Sequence, residues 1–276
     1  MIAVSMGDER GIGPEVVVAA LADPRAPKAV VFGDRATLER AAALRSVAVP
    51  ERIVQTAGGA LDYVDAALDA VLAGAARGLC TAPLSKERVA ALRPEFVGHT
   101  EHLAQRTGAR VAMMMAGPRL RVVLATNHLA LREVPQKLTR EQIAFVTILA
   151  ARELRERWGL ERPRLAVLGL NPHAGDGGIF GDEEARIVAP AIALARAAGV
   201  EATGPHAADG LFPRAVNGRH DAVVALYHDQ GLIPAKLLDF AETVNVTLGL
   251  PFVRTSPDHG TADDIAWKGT ADARPM

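Results

Sequence analysis

The sequence holds one cysteine, Cys80, so no disulfide can form within the chain. That scarcity excludes a disulfide-stapled secreted scaffold and makes a reducing, cytoplasmic setting the expectation. Cys80 sits in the apolar run Gly78-Leu79-Cys80-Thr81-Ala82 and reads as a buried structural thiol. Aromatic residues make up only 4% of the chain, too few for a base-stacking nucleic-acid platform. The formal net charge is −1, so no global field recruits nucleic acid or an anionic membrane. An anionic ligand must therefore be caught by local positive groups. No run of about 18 apolar residues exists to span a bilayer. Met1-Ile2-Ala3-Val4-Ser5 lacks the basic and long apolar regions of a signal peptide. Also absent are a G-x-S-x-G elbow, a P-loop, and any tight C-x-x-C or H-E-x-x-H spacing. Gly175 and Gly177 are followed by Phe180 where a dinucleotide fingerprint needs its third glycine, which argues against a standard Rossmann domain.

What is present is a strand-helix alternation over 276 residues, 49% of them hydrophobic. Apolar, β-branched runs predict strands at 2–5, 29–32, 79–81, 111–115, 121–125, 164–168, 222–226 and 243–246. Ala/Leu/Glu/Arg-rich stretches predict helices at 14–22, 36–44, 60–75, 101–107, 140–158, 182–197 and 231–238. Continuous apolar strands between helices point to a largely parallel sheet covered on both faces, an α/β class. Thr139 with Gln142 suggests a capping box, and Pro14 suits a first helical turn. No repeat or low-complexity linker marks a boundary.

The polar and glycine-rich clusters fall just after predicted strands, at the sheet edge where ligands bind. Three of these loops carry a histidine: His128, His173 and His228. Imidazole is the commonest protein metal ligand, and three of them with positions left open suit a catalytic divalent ion. The plainer alternative is that each histidine bonds a loop carbonyl. Asp229 and Asp176 neighbour two of them, either as partners that fix a ring tautomer or as loop caps; Asp176 reads as a cap. For anion capture, Gly98-His99-Thr100-Glu101 opens a predicted helix, whose N-terminal N–H groups favour phosphate. Lys236, Asn245 and Arg254 lie downstream of His228. Lys236 and Arg254 are also readable as solvated surface charges.

Taken in order, these clusters resemble the 4-hydroxythreonine-4-phosphate dehydrogenase family of vitamin B6 biosynthesis. The matching stretches are Gly11-Ile12-Gly13-Pro14-Glu15, Gly98-His99-Thr100-Glu101, Asn171-Pro172-His173-Ala174-Gly175, Tyr227-His228-Asp229-Gln230-Gly231, Val244 to Ser256, and Asp258-His259-Gly260-Thr261-Ala262. The resemblance implies a two-domain α/β/α fold similar to isocitrate and isopropylmalate dehydrogenases. Its expected division is 1–110 with 246–276 on the cofactor side, and 111–245 for metal binding and dimerisation. It implies His128, His173 and His228 as ligands of one divalent metal (zinc, magnesium, manganese or cobalt). His99, Thr100, Lys236, Asn245 and Arg254 become the substrate set. His259, Gly260, Thr261 and Ala262 with Asp264 become the loop for the adenosine half of NAD. The implied reaction is oxidation of the C3 hydroxyl of 4-hydroxythreonine-4-phosphate by NAD and loss of CO2, giving 3-amino-2-oxopropyl phosphate and NADH. Asp229, Lys86 and a metal-bound water are candidates for the group that takes the hydroxyl proton. A homodimer with its active site at the subunit interface is implied, with no nucleic-acid or membrane partner.

The sequence departs from the family pattern at several places. Glu9-Arg10 replaces the usual Pro-Ala, Gly210 a hydroxyl residue, Ser85 an asparagine or histidine, and Trp267 a glycine. The stretch between Phe32 and Gly58 is short, and a terminal helix after Gly269 is expected to be missing. These departures touch substrate- and adenosine-facing loops, so other readings stand beside the first. They are a dihydrodiol dehydrogenase of aromatic dicarboxylates within the same family, a metal-dependent hydrolase or lyase, and a non-catalytic metabolite-binding relative.

Overall fold

The computed structural model describes every residue from Met1 to Met276. The chain begins β1 (Ile2–Ser5), α1 (Gly13–Leu21), β2 (Ala29–Gly33), α2 (Arg35–Arg45), β3 (Ile53–Gln55), α3 (Ala60–Leu72), β4 (Gly78–Thr81), α4 (Lys86–Leu92) and α5 (His99–Thr107). It continues through β5 (Ala112–Ala116), β6 (Arg121–Leu124), α6 (Val134–Lys137), α7 (Arg140–Trp158), β7 (Arg164–Leu168), α8 (Ala189–Ala197) and β8 (Glu201–His206). It closes with α9 (Ala208–Val216), β9 (Ala222–Ala225), α10 (His228–Asp239), β10 (Val244–Leu248) and β11 (Val253–Ser256). No helix is long and apolar enough to cross a membrane.

One compact unit comprises Met1–Val111 with Val244–Met276. Its strands lie in the order β3-β2-β1-β4-β11-β10, all neighbours parallel except the last pair. Side chains alternate across a strand. Ala3, Val30 and Leu79 therefore pack with Val64 and Leu68 of α3, while Val4, Val31 and Cys80 pack with Val17, Val18 and Leu38 of α1 and α2. Strands covered on both faces must be apolar throughout, which is why these runs read as continuous. Cys80 is buried, as its neighbours suggested.

The other unit is Ala112–Thr243, with strand order β5-β6-β9-β7-β8. β6, β9, β7 and β8 are parallel, and only β5–β6 is antiparallel. One core face joins Val122, Leu124, Ala166, Leu168, Val223 and Ala225 to Leu211, Leu232 and Ala235 of α9 and α10. α7 contacts β6, β7 and β9 and contributes the buried Ile143, Val146 and Leu154.

Every strand and helix expected from the sequence is present, with small shifts at the ends. The expectation of parallel pairing needs two corrections, β5–β6 and β10–β11. Each pair is joined by a tight turn, Gly117–Leu120 and Gly249–Phe252, too short for the crossover that parallel strands need. Strands β3, β8 and β11 were not expected. β3 is a three-residue sheet edge, β8 is a polar one, and β11 carries Arg254 at its centre. The helices α4, α6 and α9 were not expected either. The predicted helix 182–197 is interrupted by a π-helical segment at Glu184–Val188. Pro190 has no N–H to offer the carbonyl of Arg186, and a widened turn tolerates that missing donor.

Gly231 sets how closely α10 lies on the sheet, since a Cβ there would fall 2.6 Å from Cγ1 of Val122 and 3.0 Å from Cβ of Ala225. Gly231→Val is expected to lower stability by about 1–3 kcal/mol through overpacking, read as a lower urea midpoint. An unchanged midpoint would show that α10 can lift off β6 at no cost.

Candidate active site

β6, β9 and β7 are adjacent and parallel, so their carboxyl ends share one edge. Strand spacing is about 4.8 Å, so the loops holding His128, His228 and His173 spring from a strip about 10 Å wide. Polar side chains lace these loops together. Thr126 Oγ1 donates to the Leu226 carbonyl at 2.6 Å. The Gln230 side chain accepts from Leu226 N and donates to the Gly169 carbonyl, both at 2.7 Å, so it ties the end of β9 to the end of β7. Gln142 Nε2 donates to the Ala125 carbonyl at 3.3 Å. Thr139 caps α7 by accepting from Gln142 N at 3.1 Å.

The structure brings two of the three histidines together. The rings of His128 and His228 lie 5.5 Å apart and tilted by 42°. His228 is the first residue of α10, and its Nδ1 lies 2.7 Å from the Asp229 carboxylate. A carboxylate there holds the Nδ1 proton and turns Nε2 outward as a free donor, the usual support of a metal-binding imidazole. In kind, two neighbouring imidazoles and a carboxylate are donors that suit a divalent ion. His173 does not complete a group of three able to hold one in this conformer. Its ring is exposed and stands 6.2 Å from Phe180. Residues 173–177 form a left-handed turn, with φ between 43° and 82°. His173, Ala174 and Asp176 occupy it without being glycine, and each such residue costs roughly 1–2 kcal/mol. Strain of this kind is kept at functional loops when its surroundings hold it.

The anion-directed residues of the other unit are built on β4, β10, β11 and α5. Asn245 pairs with Ser256 and Thr247 with Arg254, so these four side chains share one sheet face. Arg254 is 2% exposed, which overturns its reading as a surface charge. Its guanidinium donates to Thr247 Oγ1 at 3.0 Å and Thr81 Oγ1 at 2.6 Å, while Nε has no partner. Burial pushes its pKa down to about 10, against weaker support from Cys80 and Glu101. His99 and Thr100 open α5 behind Gly98. His99 Nε2 is sealed off without a partner. Burial, then the charges of Arg254, His102 and Lys86, hold the His99 imidazole neutral, well below the ordinary value. A Cβ at Gly98 would sit 3.3 Å from Lys86 Nζ, so Lys86 lies against the α5 N-terminus. Lys236 lies in the second unit on α10, its ammonium 5.9 Å from the Phe240 ring.

The His259–Ala262 loop packs on the first glycine loop. Ile12 N donates to the Thr261 carbonyl at 2.9 Å, and a Cβ on Gly11 would strike Thr261 at 2.7 Å. Arg88 bridges Asp8 of one loop and Asp263 of the other, each at 2.7 Å. Asp264 is exposed beside it. Two sequence departures meet here. Trp267 Nε1 donates to the Glu9 carbonyl at 2.9 Å, and the Glu9 carboxylate takes the Tyr63 hydroxyl. Arg40 lies 4.1 Å over the indole. Ser85 caps α4 by accepting from Arg88 N at 3.3 Å.

Similarity to known proteins agrees with this architecture. A β-decarboxylating dehydrogenase from Thermococcus kodakarensis superposes with a TM-score of 0.53 at 15% identity over 98% of this chain and 78% of that one, which establishes the fold class. The family profile described as pyridoxal phosphate biosynthetic protein PdxA matches residues 36–276, and the chain belongs to that family of dehydrogenases. It is 42% identical to a 4-hydroxythreonine-4-phosphate dehydrogenase of Desulforapulum autotrophicum, over 99% of this chain and 91% of the relative. It is also 42% identical to a D-threonate 4-phosphate dehydrogenase of Salmonella typhimurium, over 100% and 95%. A crystal structure of 4-hydroxythreonine-4-phosphate dehydrogenase from Klebsiella pneumoniae superposes with a TM-score of 0.88 at 41% identity, covering 100% of this chain and 96% of that one.

Sequence reasoning missed Thr81, Thr247, Arg88 and Glu184. Hydroxyls on strands and a glutamate inside a helical pattern carry no local signal of a role. The neutral His99 has a consequence for stability. Its folded value lies below the ordinary 6.5, so the unfolded chain binds a proton that the folded chain refuses. Its contribution is full above the ordinary 6.5 and is lost as pH falls from there toward the depressed folded value. The ligand-free protein should melt at lower temperature at about pH 5 than at about pH 7, and His99→Asn should flatten that slope. An unchanged slope would assign the effect to His206 and His220, whose values burial also lowers.

Proposed function

We propose that this PdxA-family dehydrogenase uses NAD to oxidise the C3 hydroxyl of 4-hydroxythreonine-4-phosphate, or a close four-carbon phosphorylated hydroxy acid, with loss of CO2. From the first substrate the product is 3-amino-2-oxopropyl phosphate, with NADH formed alongside. The observation that carries the reading is Arg254, a fully buried guanidinium bonded to two hydroxyls and to no carboxylate. A buried charge that no carboxylate bonds, with Glu101 only a weaker and non-bonded support, is expensive. A phosphate oxygen supplies the missing charge through short, charge-assisted bonds. The α5 N-terminus with His99 and Thr100, and Lys86 against it, favour the same anion. Asn245 shares the Arg254 face, and Lys236 completes the substrate set.

His128, His173 and His228 would hold one divalent ion, which when bound acts as a Lewis acid on the substrate hydroxyl and the ketone. His259, Gly260, Thr261 and Ala262 with Asp264 would take the adenosine half of NAD, whose nicotinamide accepts the hydride. Asp229 keeps the His228 tautomer fixed, and Asp229 or Lys86 takes the hydroxyl proton. Neutral His99 leaves Arg254 and Lys86 as the positive charges available to the phosphate.

The working assembly is a homodimer with the active site at the subunit interface. Ile233, Leu237 and Phe240 form an apolar stripe on α10, the helix that begins with His228, and are 63%, 83% and 68% exposed. The stripe borders a cleft of about 350 Å³ lined by Phe212, Tyr227, Ile233 and Leu237. So much apolar surface beside a site suits cover by a second copy.

NADH absorbance with 4-hydroxythreonine-4-phosphate, D-threonate 4-phosphate and a cyclic dihydrodiol in parallel tests the substrate. Arg254→Met should raise KM for the phosphorylated acid about 100-fold and barely change turnover of a phosphate-free analogue. His228→Ala should abolish activity while the circular dichroism persists. Oxidation of the dihydrodiol alone would overturn the assignment. For the dimer, Leu237→Glu should yield monomers in sedimentation; retention of the wild-type sedimentation coefficient would place the interface elsewhere.

A further inference from the structure

Glu184 is a buried carboxylate that neither the anion set nor the paired histidines use. It stands on the π-helical segment Glu184–Val188 and reaches the loop at the end of β7. Its Oε1 accepts the amides of Leu170 and Asn171, both at 2.7 Å, and Oε2 accepts Asn171 Nδ2 at 3.0 Å. Asn171 Nδ2 also reaches Glu183 at 2.7 Å. Two glycines of the loop leave room for this carboxylate. A Cβ at Gly175 would fall 2.7 Å from Oε2, and one at Gly169 would fall 3.1 Å from Oε1 and 2.8 Å from Ala174 Cα. Burial opposes the charge of Glu184, but the bonds from Asn171 and Leu170 outweigh it, so the carboxyl lies below the ordinary glutamate value.

The turn it supports is the left-handed one that carries His173. A run of left-handed residues is unfavourable for L-amino acids, so the turn needs an outside hold. Three bonds from one carboxylate to the residues just before His173 supply it. The backbone at His173 is thereby fixed above β7, while its ring stays exposed and can turn about the side-chain torsions. We propose that Glu184 is a positioning residue for His173, fixing the left-handed turn so that capture of a divalent cation requires only rotation of the imidazole. The π turn makes the reach possible, because one wide turn re-aims a side chain that a regular helix would point elsewhere. The proposal rests on the reading of His128, His173 and His228 as the metal set.

The test is Co²⁺ titration of chelator-stripped full-length protein, followed by competition with a chromophoric chelator and by the visible d–d absorption. Wild type, Glu184→Ala, Glu184→Gln, Glu184→Asp and His228→Ala are compared, with circular dichroism and NAD affinity measured on each. Loss of an outer partner of a metal site weakens affinity about 10–100-fold, and that loss is expected for Glu184→Ala. Glu184→Asp keeps the charge but falls a methylene short, and should lose about tenfold or more. Glu184→Gln keeps the oxygen that accepts both amides and should bind within a few-fold of wild type. NAD affinity should be unchanged in all three. Co²⁺ binding by Glu184→Ala and Glu184→Asp equal to wild type overturns the role. Should Glu184→Ala fail to fold, the Asp and Gln pair decides by the same criterion. A wild-type protein whose Co²⁺ binding ignores His228→Ala overturns the metal reading itself, and with it the proposal, which is a different result from tight wild-type binding that ignores Glu184.

Discussion

Parallel pairing of β6, β9 and β7 is the constraint from which the histidine site follows. Parallel neighbours end on the same side, so three loops distant in sequence leave the sheet within about 10 Å of one another. Everything else at that edge refines their placement. Thr126 and Gln230 tie the loop ends, Gly231 lets α10 settle on β6, and Asp229 orients the His228 ring. Were the register of β9 to slip by one residue, its core side chains would change face. The start of α10 would move with them.

The two units keep unfavourable features where their chemistry lies. In one, Arg254 is a buried cation held by threonine hydroxyls and faced by a neutral histidine. In the other, three non-glycine residues sit in left-handed conformations beside a buried carboxylate. Neither arrangement is what a sequence selected for stability alone would adopt. Both persist because the surrounding core is extensive: the central strands β1, β2 and β4 of one unit and β6, β9 and β7 of the other are packed against helices. The cost of an uncompensated charge is then available as affinity when a ligand brings the opposite charge.

The departures from the family pattern are coherent in three dimensions. Glu9 and Trp267 are far apart in the chain yet bond each other, and Trp267 takes a left-handed conformation where glycine is usual. Its amide and that of Gly269 both go to the Glu15 carboxylate, which anchors the segment to the start of α1. The first glycine loop is therefore held from the Thr261 side and from the Trp267 side at once.

Much of this was legible in the order of residues. Continuous apolar runs located the buried strands β1, β2, β4 and β7, since burial on both faces leaves them apolar throughout, and an Ala/Leu/Glu/Arg-rich stretch located the long helix α7. The motifs around His173, His228 and Arg254 pointed to the family that the profile match establishes. The edge strands were silent, β3 because three residues are too few to register and β8 because Glu201–His206 is largely polar. β11 was silent because it hides a charged residue in a core position. By itself the sequence determined the class of fold and the family. Only the tertiary structure decided that Arg254 is buried with no carboxylate bonded to it, that His128 and His228 meet, and that Glu184 bonds Leu170 and Asn171 just before His173. These depend on strand order and on contacts between distant segments, and no local pattern encodes which segments become neighbours.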